Sequence, residues 1–456
     1  MNSKQPFAFR NGTSNAENRP AVLDLFCGVG GLSLGLLMGG FRVDLAVDND
    51  PDAVECYNKN LKGQCDAGAV LFDLSKIKSH EQVRQFLKSN GKSPTEFTAV
   101  VGGPPCQGFT TIGRTKLNAL LKSAGSKAKR QKLEKRDKQR CALFETFALF
   151  VEVIKPKWFF FENVPMIRNH KTYRRLISRF ESLESADGTR LDYALTPDLY
   201  TASYYGVPQI RQRFILVGRL RSATHAFIPP RKQYVAKTVS DAISDLPRIG
   251  AGACKKQLRR SASAKGAYQK LMRSGYLPGE KRAVHDHICR SHVDDDIELF
   301  RKMRQGERFA DPRVRQLVRA INPKHHLGSY SVENFTDKLH RLQGVRPAWT
   351  VTAHLQKDGY KFIHHKQGRT ISVREAARLQ SFPDWFHFGE LGMGSAFRLI
   401  GNAVPPLMAK AFARQMLAHT SACRMKRNHL HKIGRNADVA ELVPRGATAR
   451  TYGRKP

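Results

Sequence analysis

The stretch Ala21-Val22-Leu23-Asp24-Leu25-Phe26-Cys27-Gly28-Val29-Gly30-Gly31 sets the architecture of the chain. Ala21 to Phe26 is short, apolar and bounded by turn residues, the pattern of a buried strand. A glycine turn follows, and Leu32 to Met38 then has helical character. Strand, glycine turn, helix is how a doubly wound α/β sheet opens, with the turn letting a ligand approach the backbone. The spacing is not a full GxGxxG, because Ser33 stands at the third position. A second apolar run, Phe41 to Val47, leads to Asp48. An acid at the end of the second strand can hold ribose hydroxyls. The neighbouring Asp50-Pro51 also reads as a helix start, so capping is the alternative for an acid here. Val70 to Asp73 reads as a third short strand ending in an acid.

The fourth strand, Phe97 to Val101, runs into Gly102-Gly103-Pro104-Pro105-Cys106-Gln107-Gly108-Phe109. Glycines allow a sharp turn and prolines stiffen its exit, so Cys106 is held at a strand end. A cysteine so placed is a candidate nucleophile, against the plainer reading of a small buried residue. Basic residues then crowd the chain from Arg114 to Arg140, opposed only by Glu134 and Asp137. That run reads plainly as a solvated basic loop and, next to a candidate active-site cysteine, as a mobile loop that closes over a nucleic-acid backbone. Leu143 to Ile154 has the apolar spacing of a helix stopped by Pro156. Trp158 to Phe161 is a fifth strand, delivering Glu162, where burial can raise a carboxyl pKa and favour proton donation, against the plainer reading of a surface acid capping a turn. After Tyr200 to Val207 comes Gln209-Ile210-Arg211-Gln212-Arg213, whose two arginines alternate on one face of an extended segment and can meet an anion or a base carbonyl, though exposed edge charges are the preferred reading of the pair alone. The strand Phe214 to Val217 follows.

From about Arg219 to Leu339 the alternation of strand and helix is lost, which marks a second domain or long insertion. Thr350 to Thr352 is a candidate strand, and Ser372 to Leu379 a short helix with a capping box of Ser372 and Glu375. Gly401-Asn402-Ala403-Val404-Pro405-Pro406 is expected to open a last helix, Leu407 to Leu417. The chain beyond Thr420 is polar and basic and is expected to be disordered.

The 456 residues carry a formal net charge of +38 and are 41% hydrophobic, a globular composition with a strong bias toward a polyanionic partner. No run of eighteen apolar residues exists, so no membrane span is expected. The eight cysteines include no CxxC pair, which argues against a disulfide framework. His285, His287, Cys289 and His292 have ligand chemistry for zinc, but their spacing matches no common zinc module.

Six blocks together resemble the cytosine-5 DNA methyltransferases, the bacterial single-chain, restriction–modification type above all: DLFCGVGGLSLG from Asp24, GGPPCQGF from Gly102, FFENV from Phe160, GVPQIRQR from Gly206, REAARLQSFPDWFHF from Arg374 and IGNAVPP from Ile400. The resemblance implies a doubly wound, Rossmann-like S-adenosylmethionine-dependent methyltransferase sheet with a second, smaller target-recognition domain. It implies that Cys106 attacks C6 of a flipped-out cytosine, that Glu162 contacts the base at N3 and the 4-amino group, and that Arg213, with Arg211 beside it, steadies the intermediate at O2. Phe26, Gly28, Gly30, Asp48, Asp73, Pro104, Asn402 and Val404 match positions around S-adenosylmethionine. No metal is expected. The implied domains are a flexible arm over 1–20, a catalytic domain over 21–225, target recognition over 226–396, a returning helix over 397–420 and a tail over 421–456. The implied partner is double-stranded DNA, with a cognate restriction endonuclease on the same site as a possible companion. A monomer in the cytoplasm, associated with the nucleoid, is expected. Two other readings stay open here: an RNA cytosine-5 methyltransferase on the same scaffold, and a repressor that has kept the scaffold.

Overall fold

The computed structural model describes residues 18–62, 68–105, 131, 143–170, 172–254, 257–259, 263–274, 283–329 and 339–420. Cys106, most of the basic run 114–140 and the tail 421–456 lie outside the described residues, as do residues 1–17 of the expected arm.

The first half alternates as expected: β1 (Ala21–Leu25), α1 (Gly31–Gly39), β2 (Arg42–Asp48), α2 (Pro51–Leu61), β3 (Ala69–Leu71), α3 (His80–Ser89), β4 (Phe97–Gly102), α4 (Leu143–Ile154), β5 (Trp158–Asn163) and α5 (Thr172–Glu181). β6 (Tyr193–Thr201), β7 (Gln209–Ile210) and β8 (Gln212–Leu220) follow. The seven-stranded sheet has the order β3-β2-β1-β4-β5-β8-β6. β3, β2, β1, β4 and β5 are parallel neighbours, whereas β8 runs antiparallel between β5 and β6. β6 was not expected as a strand. Its alternation is interrupted by Pro197 and Asp198, which sit at the sheet edge, where proline is tolerated. The third strand is also shorter than expected: Asp73 caps a 3₁₀ turn, Leu74–Lys76, by accepting from the Ser75 N–H.

Period-two alternation divides the strand side chains between two apolar layers. Val22, Trp158, Phe160, Ile215 and Val217 face one layer, with α1, α2 and the C-terminal helix. Leu23, Leu25, Phe159, Phe161, Phe214 and Leu216 face the other, with α3, α4 and α5.

Beyond β8 come α6 (Val239–Ile243), β9 (Gln257–Arg259), α7 (Ala267–Met272), β10 (Ala283–His285), α8 (Asp294–Lys302), α9 (Pro312–Ile321), β11 (Ala348–Trp349), α10 (Val373–Leu379), α11 (Met393–Asn402) and α12 (Pro406–Ala418). The expected strand at Thr350 to Thr352 is instead β11, two residues earlier, paired in parallel with β7. Gly401 and Asn402 end α11 rather than opening the last helix, which starts at Pro406. The capping box at Ser372 and Glu375 is present.

α12 returns to lie along α1. Cβ atoms built on Gly31, Gly35 and Gly39 would come within 2.4 Å of the Val404 carbonyl, 2.3 Å of Ala409 Cβ and 2.4 Å of Ala413 Cβ. Glycine at every fourth position thus lets the two backbones touch. The first apolar layer continues through α6, α7, α10 and α11, and a separate cluster holds Leu299, Phe300, Phe309, Val314, Val318 and Ile363.

The suspected zinc ligands are occupied separately. His287 bonds Ser372 Oγ and the Pro247 carbonyl, Cys289 Sγ donates to the Gly250 carbonyl, His292 contacts Thr370 Oγ1, and His285 stacks edge-on against His387. They form no common site.

Candidate active site

In an open α/β sheet, ligands bind beyond the C-terminal strand ends where the strand order reverses. Here that point lies between β1 and β4. The turn after β1 and the Gly103-Pro104-Pro105 turn after β4 both stand there. Phe26 has φ 61, a conformation that costs a non-glycine residue energy, and Gly28 and Gly30 have φ 54 and 90. A Cβ on Gly28 would meet nothing within 4 Å among the described residues, which leave this face of the turn open. A Cβ on Gly30 would run into Tyr57 and Leu61 of α2.

Asp48 fixes this turn. Its carboxylate accepts from the Gly28 N–H at 2.8 Å and the Asp50 N–H at 2.9 Å. Asp50, not Asp48, caps α2, accepting from the Asp52 N–H. Burial raises the Asp48 pKa, against the lowering effect of the Gly28 and Asp50 N–H groups. Beneath the turn, Asp24 Oδ2 accepts from Ser33 Oγ at 2.6 Å, and Ser33 in turn accepts from the Tyr57 hydroxyl at 2.9 Å. Asp24 Oδ1 has no hydrogen-bond partner among the described residues. Burial, with the nearby charge of Asp48, raises Asp24 to about 7.

This shift has a testable consequence. A carboxyl whose folded pKa is raised binds more protons folded than unfolded between the ordinary carboxylate range and that pKa. Its contribution to stability is full at acid pH and is lost as the pH rises toward 7. Asp24→Asn is therefore expected to weaken the fall in the urea midpoint between pH 5 and pH 8. Parallel pH profiles in the two proteins would place the proton elsewhere.

β5 delivers Glu162 beside the end of β4, since Gly102 is in register with Phe161. Glu162 is 8% exposed, and its Oε1 lies 2.8 Å from Arg213 Nε at the start of β8. A Cβ on Gly103 would stand 2.8 Å from Glu162 Oε2, so only glycine lets the β4 exit pass this close to the carboxyl. Asn163 Nδ2 donates to the Pro104 carbonyl at 3.2 Å, tying the same two strand ends together. Burial raises the Glu162 pKa, and Arg213 and Arg211 oppose that rise. The result is a desolvated acid against a guanidinium, at the rim where the sheet's crevice opens.

The model of the C-5 cytosine-specific DNA methylase family matches residues 21–418. The chain belongs to that family. It is a DNA methyltransferase that methylates cytosine at C5. The type II methyltransferase M.DdeI of Desulfomicrobium norvegicum is 30% identical over 416 residues, 87% of this chain and 88% of that protein. The type II methyltransferase M.XorII of Xanthomonas oryzae is 30% identical over 406 residues, 88% of this chain and 85% of that one. Among solved structures, a DNA modification methyltransferase encoded within an E. coli prophage superposes with a TM-score of 0.63 at 25% identity, over 87% of this chain and 98% of its own. The mixed seven-stranded sheet is thus the Rossmann-like methyltransferase fold.

The family's cofactor can be tested against the turn itself. The open face at Gly28, the left-handed Phe26 and the acids Asp48 and Asp73 after β2 and β3 fit an elongated ligand carrying hydroxyl and amine donors. Val404 is 8% exposed and sits against Gly31 through its carbonyl, while Asn402 is exposed at the end of α11. Val404 thereby borders the β1 turn by way of α1.

Arg211 is the sequence-derived candidate that the structure places differently. Arg211 and Arg213 do not share an environment. Arg211 is 0% exposed, and its guanidinium donates to the carbonyls of Val351 at 2.5 Å, Gly401 at 2.8 Å and Ala403 at 3.1 Å. Gln209 and Gln380 extend this polar knot: Gln209 Nε2 donates to Gln380 Oε1 at 2.6 Å, and Gln380 Nε2 to the Ala403 carbonyl at 2.8 Å. Arg211 is a positioning residue that ties the strand carrying Arg213 to the α11–α12 junction. Arg211→Met leaves the buried Val351 and Gly401 carbonyls short of a donor, while Ala403 keeps Gln380, so a loss of about 2–5 kcal/mol is expected in urea unfolding. Unchanged stability would show that the knot re-forms without it.

Sequence reading also passed over three buried arginines. Arg369 pairs with Glu375, Arg374 with Asp286, and Arg378 with both Asp245 and Asp384. Glu375 is held well below the usual carboxylate range by Arg369, although burial opposes this. The signal was the density of arginine in a segment otherwise apolar enough to be core.

Proposed function

We propose that the chain methylates C5 of a flipped-out cytosine within a specific duplex DNA sequence, using S-adenosylmethionine and a transient bond from Cys106 to C6. The observation that carries this reading is the buried Glu162–Arg213 pair beside the β4 exit, one turn before Cys106 in the sequence. C5 of cytosine is a weak nucleophile. Addition of a thiolate at C6 makes C5 enamine-like, which divides one difficult step into easier ones. Negative charge then develops on the ring. A Glu162 carboxyl with a raised pKa can share its proton with N3, and Arg213 can neutralise charge at O2. S-adenosylmethionine, when bound, supplies an electrophilic methyl group. Phe26, Gly28, Gly30, Asp48, Asp73, Pro104, Asn402 and Val404 are the residues proposed to hold it. Asp48 still has lone pairs for ribose hydroxyls after accepting from Gly28 and Asp50.

The target atom is shielded inside a duplex, so the nucleotide must leave the stack, at about a few kcal/mol. The basic run 114–140 is proposed to close over the DNA backbone, and the segment within 226–396 to read base edges. The remaining division into 1–20, 21–225, 397–420 and 421–456 belongs to the same proposal, as do a monomeric state, action in the cytoplasm at the nucleoid and a cognate endonuclease. The type II names of M.DdeI and M.XorII favour such a companion. Among the described residues no helix is long and apolar enough to cross a membrane.

Bisulfite sequencing of DNA from cells expressing the chain tests substrate and specificity together. Protected cytosines at one short sequence are expected. Absence of protection, with methyl transfer to tRNA in vitro, would decide for an RNA substrate.

A further inference from the structure

Far along the chain from the transfer site, α8 and the turn after α9 bring Asp296, His325 and His326 together, with their ligand atoms within 4.8 Å of one another. His325 Nε2 lies 3.3 Å from Asp296 Oδ1, and His326 Nε2 lies 3.9 Å from the same oxygen. Asp296 is 1% exposed and His325 5%. Asp296 Oδ1 and His325 Nε2 share only that charge contact and have no hydrogen-bond partner among the described residues. Buried polar atoms are rarely left so, and two that face each other point to a shared occupant. The other carboxylate oxygen of Asp296 accepts from the Tyr360 hydroxyl, which fixes the orientation of the group. Such an outer partner is typical of a metal-binding carboxylate. A cavity of about 330 Å³, lined by His326, Tyr360, Arg290, His292 and Asp358, gives a path in from solvent.

We propose that Asp296, His325 and His326 bind one divalent transition-metal ion of the zinc class. Two imidazoles and a carboxylate suit that ion, and bonds of about 2.0–2.2 Å put neighbouring ligand atoms of a tetrahedral site at spacings like those seen here. Of the three ligands His326 lines the cavity, so water can reach the ion from that side. His325 Nδ1 accepts from the Leu327 N–H at 3.2 Å, which sets the ring proton on Nε2 in the ion-free chain. An ion on Nε2 moves that proton to Nδ1 and gives up the long Leu327 contact. The ion would pin α8 to the His326–Ser329 turn, inside the segment proposed to read DNA. It takes no part in methyl transfer, and the site stands whether or not that segment reads bases.

The test is calorimetric titration of chelator-treated full-length protein with zinc chloride, with cobalt(II) absorption as a readout of geometry. One ion per chain and a tetrahedral cobalt spectrum are expected. His326→Ala and Asp296→Asn should each weaken binding by at least about tenfold. His326 has a half-exposed side chain, so its replacement should leave the fold intact even if Asp296→Asn does not. Failure to bind zinc stoichiometrically, or wild-type affinity in His326→Ala, overturns the proposal.

Discussion

Cys106→Ser protein is expected to lose methyl transfer by about 10³-fold or more while binding S-adenosylmethionine with unchanged affinity. A serine hydroxyl is nearly isosteric with the thiol but is far less nucleophilic near neutral pH, so the attack on C6 is the step removed. Cofactor affinity is carried in this account by the turn after β1 and by Asp48, which the substitution does not touch. Single-turnover methyl transfer and equilibrium cofactor binding, measured on the same preparation, separate the two. Equal loss of both would mean that Cys106 supports the cofactor site and not the chemistry.

The second large effect is expected from Glu162→Gln, a fall in kcat of about 10²–10⁴-fold, the usual weight of a positioned general acid. Glutamine keeps the shape and can still accept from Arg213 Nε, which lies 2.8 Å from the carboxylate. It cannot release a proton to N3. Arg213→Ala gives the complementary result. Burial raises the Glu162 pKa and Arg213 lowers it, so removing the guanidinium raises it further. The acidic form then persists to higher pH, and any limb of the rate profile that reports Glu162 ionising moves to the alkaline side. A limb that stays in place, or full activity in Glu162→Gln, would remove Glu162 from the chemistry.

The strands that carry the site were legible because each is a short apolar run ended by glycine or an acid. β1, β4 and β5 need nothing further, since burial on both faces makes their sequences continuous and hydrophobic. β6 was hidden because an edge strand can hold proline and aspartate, which breaks the pattern that identifies it. Glu162 and Arg213 were legible as a pair only through the resemblance; their contact comes from the antiparallel insertion of β8 beside β5, where Glu162 is in register with Ile215. Alternation along a strand placed Arg211 and Arg213 on one face. The break between β7 and β8 falls at Arg211 and sends its side chain into a set of carbonyls from distant segments. Long-range closure of that kind leaves no local mark. The glycines at 31, 35 and 39 form a four-residue repeat of the smallest residue that went unread in the sequence, and α12 packs on it. The acid Asp48 was legible by position, but its hold on the Gly28 N–H was not.

The most direct measurement is covalent trapping. Duplex DNA carrying 5-fluorocytosine at the methylation site is incubated with the full-length chain and S-adenosylmethionine, because fluorine at C5 blocks the proton loss that frees the thiol. A denaturation-resistant protein–DNA adduct whose tryptic peptide contains Cys106 is expected, and none with Cys106→Ser. An active enzyme that forms no adduct, or an adduct that survives Cys106→Ser, would contradict a nucleophilic Cys106.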